Sequence, residues 1–125
     1  MHENTIATTI VNCSFKIHKT LGPGLFESVY EEVLAYELSK EGLDVKRQHT
    51  IPVIYEGIKL ELGFKADIIV NDKVIIELKS VEKIQPVHPK QLLTYLRLTD
   101  MKLGLLINFN EALIRDGIQR IVNNL

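Results

Sequence analysis

Residues 63–80 have the sequence GFKADIIVNDKVIIELKS, in which apolar residues alternate with polar ones around a short polar stretch. A period of two predicts a pair of β-strands, and the Asn-Asp dipeptide between them predicts a tight turn. One face of each strand is apolar: Ile58, Leu60, Leu62, Phe64, Ala66, Ile68 and Val70 in the first strand, and Val74, Ile76 and Leu78 in the second. Matching the two apolar faces places Asp67 and Glu77 on the same side of the sheet, and Lys79 shares that side.

The register that matches these faces requires an odd number of residues in the connecting loop. A two-residue loop would pair Val70 with Lys73 and would set Asp67 opposite an isoleucine. We therefore predict a three-residue loop over residues 71–73, or a bulge. Asparagine and aspartate suit such a loop because they tolerate the left-handed backbone conformation that it usually contains.

Asp67, Glu77 and Lys79 form a candidate ion site. Carboxylate oxygens suit a hard cation such as Mg²⁺, which typically takes one or two protein carboxylates and keeps several waters. A lysine on the same face can orient or activate a water, or stabilise negative charge on a phosphate. The structural alternative is a hairpin with a solvated polar face. We favour a site, because the carboxylates interrupt strongly apolar strands.

Two helices are predicted before this hairpin. Residues 4–20 carry apolar side chains at helical spacing and are followed by LGPG, which ends the helix. Residues from about 25 to 41 form a second helix with a broad apolar face, and Glu27 lies at the border of that face. Glu37 lies nearer its centre, so we expect it to pair with a lysine or arginine, or to mark a less buried end of the helix.

The remaining elements follow from turn signals and apolar runs. Residues 44–56 form a strand, and Pro52 predicts that this strand lies at a sheet edge or is irregular. A helix begins near Pro89 and runs to about Thr99. Residues 103–109 are nearly all apolar and predict a buried strand beside the one that carries Glu77. Residues 111–125 fit either a helix or a turn followed by a short strand, and we favour the strand.

Several further residues carry weaker signals. Gln48 and His49 could reach a ligand from the first predicted strand, but we favour solvated strand polarity as their explanation. His88 could be a metal ligand or a general base, although one isolated histidine has low specificity. Cys13 falls on the apolar stripe of the first helix, which predicts a small buried residue rather than a nucleophile.

The pattern D-x9-E-x-K at Asp67, Glu77 and Lys79 resembles the active-site signature of the PD-(D/E)xK nuclease superfamily. Residues 24–30 match a second pattern, GxxExxY, and resemble the GxxExxY protein family, a small branch assigned to that superfamily. The resemblance extends over about residues 22–123, through the LGPG, GF-x-AD, IELK and LLINFN segments. It implies a restriction-endonuclease-like α/β fold with an αβββαβ core. In that fold a central mixed sheet is flanked by helices, here with an extra N-terminal helix.

The same resemblance implies roles for individual residues. Asp67 and Glu77 would hold Mg²⁺ or Mn²⁺ together with the carbonyl group of Leu78. Glu27 would be the acidic residue contributed by the first core helix, and would bind the metal directly or through water. Gln91 resembles the polar residue that a later helix supplies beside the site. A surface pair of Gln91 with Tyr95, four residues further on, is an equally good interpretation.

The composition is that of a soluble protein with one domain spanning residues 1–125. Hydrophobic residues make up 46% of the chain, charged residues make up 25%, and the formal net charge is -1. Nucleic-acid binding would therefore depend on a local basic patch and a metal ion. The single cysteine excludes an internal disulfide framework and suits a reducing compartment, so we expect a cytoplasmic location. No apolar run approaches the roughly 20 residues of a membrane span.

The candidate site and the resemblance together predict a metal-dependent nuclease that hydrolyses phosphodiester bonds in DNA or RNA. One alternative is a nucleic-acid-binding or regulatory module that keeps the nuclease fold without turnover. The weak overall basicity favours that alternative, and the retained acids and lysine oppose it. A structural homodimer is a third interpretation, since small α/β domains often self-associate.

Overall fold

A computed structural model describes the backbone of residues 1–125 and all side chains except that of Leu62. Five strands form one sheet in the order β1-β2-β3-β4-β5. Strands β3 and β4 are parallel, and the other neighbouring strands are antiparallel. The elements along the chain are α1 (Glu3–Leu21), α2 (Glu27–Lys40), β1 (Val45–Tyr55), β2 (Ile58–Val70), β3 (Val74–Lys79), α3 (Val87–Thr99), β4 (Leu103–Asn108), a 3₁₀ turn (Ile114–Gly117) and β5 (Ile118–Val122).

This order confirms the predicted α/β fold. Helix α2, strands β1 to β3, helix α3 and strand β4 form the αβββαβ core, and α1 is the extra helix before it. Strand β4 lies beside β3, as its apolar sequence predicts. The ambiguity over residues 111–125 is resolved in favour of a turn followed by a strand, because β5 pairs with β4 at the sheet edge.

Helices cover both faces of the sheet. On one face α1 and α2 pack against alternate residues of the central strands, among them Ile68, Val70, Val74, Ile76 and Leu78. On the other face α3 packs through Leu92, Tyr95 and Leu96 against residues that include Ile69, Ile75 and Leu106. Because both faces are buried at β3 and β4, these strands are apolar at nearly every position.

The β2–β3 connection has the predicted length. Val70 pairs with Val74, which leaves residues 71–73 as the loop. Asn71 and Asp72 both adopt left-handed backbone angles, with φ of 52° and 53°. The amide of Lys73 donates to the carbonyl of Val70 at 3.0 Å and closes the loop. The pairing continues to Ile68 and Ile76, so Asp67 and Glu77 are the next residues of the two strands.

The prediction of one continuous apolar face along β2 is wrong. Ile68 packs under α1 and α2, whereas Ala66 and Phe64 pack under α3 on the opposite face. The β1–β2 pairing skips Gln48 and Asp67, and Gln48 has a left-handed φ of 49°. At this local irregularity, residues of the same parity in β1 and in β2 change from one face of the sheet to the other. Bulges near active sites often redirect side chains in this way. Asp67 stands at the point of exchange.

Two expectations about the sheet margin and α2 are confirmed. Strand β1 is an edge strand, and its register shifts between Ile51 and Val53, on either side of Pro52. Glu37 pairs with Lys16 at 3.0 Å and with Lys40 at 3.6 Å.

Asn108, the last residue of β4, fixes the chain that follows β3. Its side chain is fully buried. The amide nitrogen donates to the carbonyl of Val81 at 2.9 Å, and the amide oxygen accepts from the backbone amides of Val81 at 3.1 Å and Asn110 at 3.2 Å. Backbone pairing places Asn108 beside Lys79. One buried side chain therefore anchors the end of β3 and the loop behind it.

We expect the substitution Asn108→Leu to lower the free energy of unfolding by about 2–3 kcal/mol, because it leaves backbone groups without partners. Urea unfolding measures the change. The matched control is Asn12→Leu on the exposed surface of α1, which should change stability by less than about 0.5 kcal/mol. Equal effects of the two substitutions would contradict the role given to Asn108.

Candidate active site

Asp67 bridges the ends of β2 and β3. Its Oδ2 accepts a hydrogen bond from the backbone amide of Leu78 at 2.8 Å. In return, the backbone amide of Asp67 donates to Oε1 of Glu77 at 3.4 Å. Side chains thus replace the backbone pairing beyond Ile68 and Ile76. The exchange brings the two predicted carboxylates together at the place where the strands part.

The environment of Glu77 strongly disfavours its charge. Burial, followed by the negative charge of Asp67 and a hydrogen bond with it, raises the pKa of Glu77 to about 9. The nearby ammonium of Lys79 acts in the opposite direction and is the weaker influence. Two acids forced together in a partly desolvated place hold a proton between them unless a cation compensates their charge. This pair is therefore suited to a cation.

Glu27 lines a cleft of about 310 Å³ together with Ser28, Glu31, Gln48, Asp67 and Leu78. It is the first residue of α2, and its side chain is exposed. The structure therefore brings Glu27 to the same cleft as Asp67. Among the described residues, however, no three His, Cys, Asp or Glu side chains form a ready metal cluster.

Glu31 is a residue of this cleft that the sequence analysis missed. It is only 7% exposed. One carboxylate oxygen accepts from Nε and Nη2 of Arg47 at 3.1 and 3.0 Å, and the other accepts from the side-chain amide of Gln48. The spacing in the sequence could have identified it, since Glu31 lies one helical turn after Glu27 and therefore on the same side of α2.

Gln48 connects Glu31 to Asp67. Its amide nitrogen donates to Glu31 and also to Oδ1 of Asp67 at 3.3 Å. The Gln48 side chain is exposed on its strand, and in addition its amide contacts two carboxylates. Helix α2 and strand β1 act on the position of Asp67 through this one amide group.

Tyr95 and Gln91 approach the site from α3. The Tyr95 ring stacks on Phe64 with centroids 3.6 Å apart. Burial, and then the charges of Glu77 and Asp67, raise the pKa of the Tyr95 hydroxyl, while a hydrogen bond with Gln91 lowers it. Gln91 therefore contacts Tyr95, whose pKa is raised by the charges of both carboxylates. The side chain of Gln91 is exposed.

His88 lies away from the cleft. Its Nδ1 accepts from the backbone amide of Gln85 at 3.1 Å. It lines a separate cavity of about 680 Å³ with Val81, Glu82, Lys83 and Gln85. This contact gives His88 a structural role at the start of α3.

The family comparison agrees with this geometry. A family model of the PD-(D/E)XK nuclease superfamily matches residues 4–121. The chain belongs to the PD-(D/E)XK nuclease superfamily. Members of this superfamily generally use divalent metals and act on nucleic acids, which supports a nuclease-like function. Comparisons with curated proteins and with solved structures gave no significant match. None of the described helices has the length and apolar character needed to cross a membrane.

The raised pKa of Glu77 predicts that the stability of the protein without bound metal depends on pH. An unfolded glutamate loses its proton near its model value of 4.5, whereas the folded one keeps it to about 9. Between these values the folded state binds more protons, so the free energy of unfolding should fall as pH rises. The neutral variant Glu77→Gln should show a smaller fall and greater stability at pH 8.

Urea unfolding in a chelator at several pH values between 5 and 9 checks this prediction. The control is Glu82→Gln, which changes an exposed carboxyl and should keep the wild-type dependence on pH. Parallel pH profiles for wild type and Glu77→Gln would show that Glu77 ionises normally in the folded protein.

Proposed function

We propose that this protein is a metal-dependent nuclease that hydrolyses phosphodiester bonds in nucleic acid. The observation that carries the proposal is the contact between Asp67 and Glu77, in which burial and mutual repulsion raise the pKa of Glu77 to about 9. Such a pair is costly for stability alone, and perturbed carboxylates of this kind are concentrated at functional sites. We further propose that residues 1–125 act as one domain.

The donor set fits a small hard cation. Asp67, Glu77 and the carbonyl of Leu78 would hold Mg²⁺ or Mn²⁺, since oxygen ligands and few protein carboxylates suit these ions. Glu27, which lines the same cleft, would contact the ion directly or through water. A bound cation would polarise a phosphate oxygen and lower the pKa of an attacking water.

The chain's own side chains would do the remaining work. Lys79 would orient the attacking water or offset the charge that develops on the phosphate. Its ammonium already acts electrostatically on Glu77. Gln91 would hold a water or a phosphate oxygen beside Tyr95. Gln48, fixed by Glu31, would keep one oxygen of Asp67 in place for the ion.

We also assign the chain to the GxxExxY branch of the superfamily, because each named position of that motif has a distinct structural role. Gly24 adopts a φ of 97°, which favours glycine. Glu27 begins α2 at the cleft. The buried hydroxyl of Tyr30 donates to the carbonyl of Gly22 at 2.6 Å and accepts from the amide of Leu25 at 3.1 Å. The single buried Cys13 supports a reducing compartment such as the cytoplasm.

The substitution Lys79→Met tests the proposed catalytic role of the ammonium. Methionine keeps much of the side-chain bulk, so the fold and metal binding should persist. Metal affinity should rise slightly, because a repelling positive charge is removed. Cleavage should fall by at least about 100-fold, the usual effect of removing one group that stabilises developing charge. Labelled DNA and RNA with Mg²⁺ or Mn²⁺ report cleavage, and calorimetry reports metal binding.

Two further variants serve as controls. Lys59→Met removes an exposed lysine from the β1–β2 hairpin and should leave both activity and metal affinity unchanged. Asp67→Asn should weaken metal binding and cleavage together. If Lys79→Met cleaves at the wild-type rate, the catalytic role of Lys79 is wrong. If the wild type binds metal and cleaves no substrate, the non-catalytic module becomes the better description.

A further inference from the structure

Phe26 is an exposed aromatic residue at the rim of the candidate site. At 83% exposure it is the most exposed of the large apolar side chains that the structure describes. It is also the N-cap residue of α2, with extended backbone angles and no side-chain capping bond. Helices prefer serine, threonine, aspartate or asparagine at this position, because these side chains accept a hydrogen bond from the first turn. Phe26 thus contradicts two local preferences, which is common at functional positions.

The backbone before Phe26 is firmly held. The buried Tyr30 hydroxyl ties Leu25 to Gly22, as described above. Ser80, directly after β3, donates its hydroxyl proton to the carbonyl of Leu25. The ring of Tyr30 stacks on Phe109 with centroids 4.4 Å apart. The Phe26 ring is therefore attached to a fixed backbone and does not belong to a free terminus or an unanchored loop.

The position of Phe26 connects it to the cleft. Phe26, Glu27, Ser28, Ser80, Asn110 and their neighbours line a cavity of about 530 Å³. Glu27 and Ser28 also line the cleft that contains Asp67. The two spaces therefore lie next to each other and share these two residues. A chain bound with a phosphate at Asp67 would therefore bring an adjoining group to Phe26.

We propose that Phe26 stacks on an unpaired nucleobase next to the scissile phosphate, so that single-stranded nucleic acid is the preferred substrate. This inference rests on the proposed nuclease function. An aromatic ring can stack on any base, because every base has a π-face. Bases inside an intact duplex are already stacked on their neighbours and do not offer a free face.

Charge supports a base as the occupant of this surface. The cleft carries Glu27, Glu31 and Asp67, and the formal net charge of the chain is -1. Electrostatic attraction to phosphate is therefore weak, and stacking would supply affinity that the basic residues do not. Leu25 and Val29, the apolar neighbours of Phe26 along the chain, are each 38% exposed, which is less than half of the 83% of Phe26. One strongly exposed ring offers a face for a single base, whereas a protein partner would need an interface of roughly 800 Å² on each side.

Binding measured without cleavage tests the inference. In a Lys79→Met background with Mg²⁺, in which metal binding should persist and cleavage should fall by at least about 100-fold, fluorescence anisotropy compares labelled single strands of DNA and RNA with duplexes of the same sequence. The substitution Phe26→Ala should weaken single-strand binding by about 5- to 100-fold and change duplex binding by less than about two-fold, as expected from the loss of one base stack. Phe26→Trp should retain the wild-type affinity. The DNA and RNA arms show which single strand is preferred.

Tyr36→Ala is the matched control. Tyr36 is 62% exposed on the same helix and lies ten residues after Phe26, outside the residues that line either cavity. Its removal should not alter affinity, and urea unfolding checks that all variants fold. Unchanged single-strand binding in Phe26→Ala would overturn the proposal, as would an equal loss for duplexes or no binding of single strands at all. Absence of cleavage in the wild type, with Phe26-dependent binding intact, would instead reject the proposed nuclease activity.

Discussion

The hydrogen bond from the Leu78 amide to the Asp67 carboxylate, 2.8 Å long, determines how the site is built. In a regular antiparallel pair a backbone carbonyl of β2 would accept that proton. Here a side chain accepts it, so the backbones of β2 and β3 separate beyond Ile68 and Ile76. Because the partner of the Leu78 amide is a carboxylate, the same bond draws a negative charge toward Glu77. This one hydrogen bond therefore determines both where the pairing of β2 and β3 ends and how close the two acids lie.

The opposite edge of β3 shows no such separation. Every residue of β3 pairs with a residue of the parallel strand β4, from Val74 with Leu103 to Lys79 with Asn108. The amide of Phe109 then donates to the carbonyl of Lys79 at 2.9 Å. Because β3 stays paired with β4 along its whole length, its end remains ordered where β2 separates from it. Glu77 and Lys79 therefore lie on an ordered strand. Local strain at such a site persists only when the surrounding structure over-determines it.

The sequence predicts the β2–β3 hairpin well, because two apolar strands allow only one register with both faces matched. That register requires the loop over residues 71–73, which the structure has. The exchange of faces at Gln48 and Asp67 could not be derived in the same way. It depends on a left-handed φ at Gln48, and glutamine has no strong preference for that conformation. Tertiary contacts with Glu31 and Asp67 impose it, and contacts of that kind leave no periodic signal.

Glu31 was predictable from helical spacing, but its partners were not, and these partners determine the electrostatics around Asp67. A carboxylate that is 7% exposed would be costly without partners. The Arg47 guanidinium compensates its charge, and the Gln48 amide satisfies its second oxygen. The arginine thus neutralises Glu31 while the neutral amide extends the network to Asp67. No positive charge reaches Asp67 through this route. The attraction of the Asp67–Glu77 pair for a cation is therefore preserved, although Arg47 lies only three hydrogen bonds from Asp67.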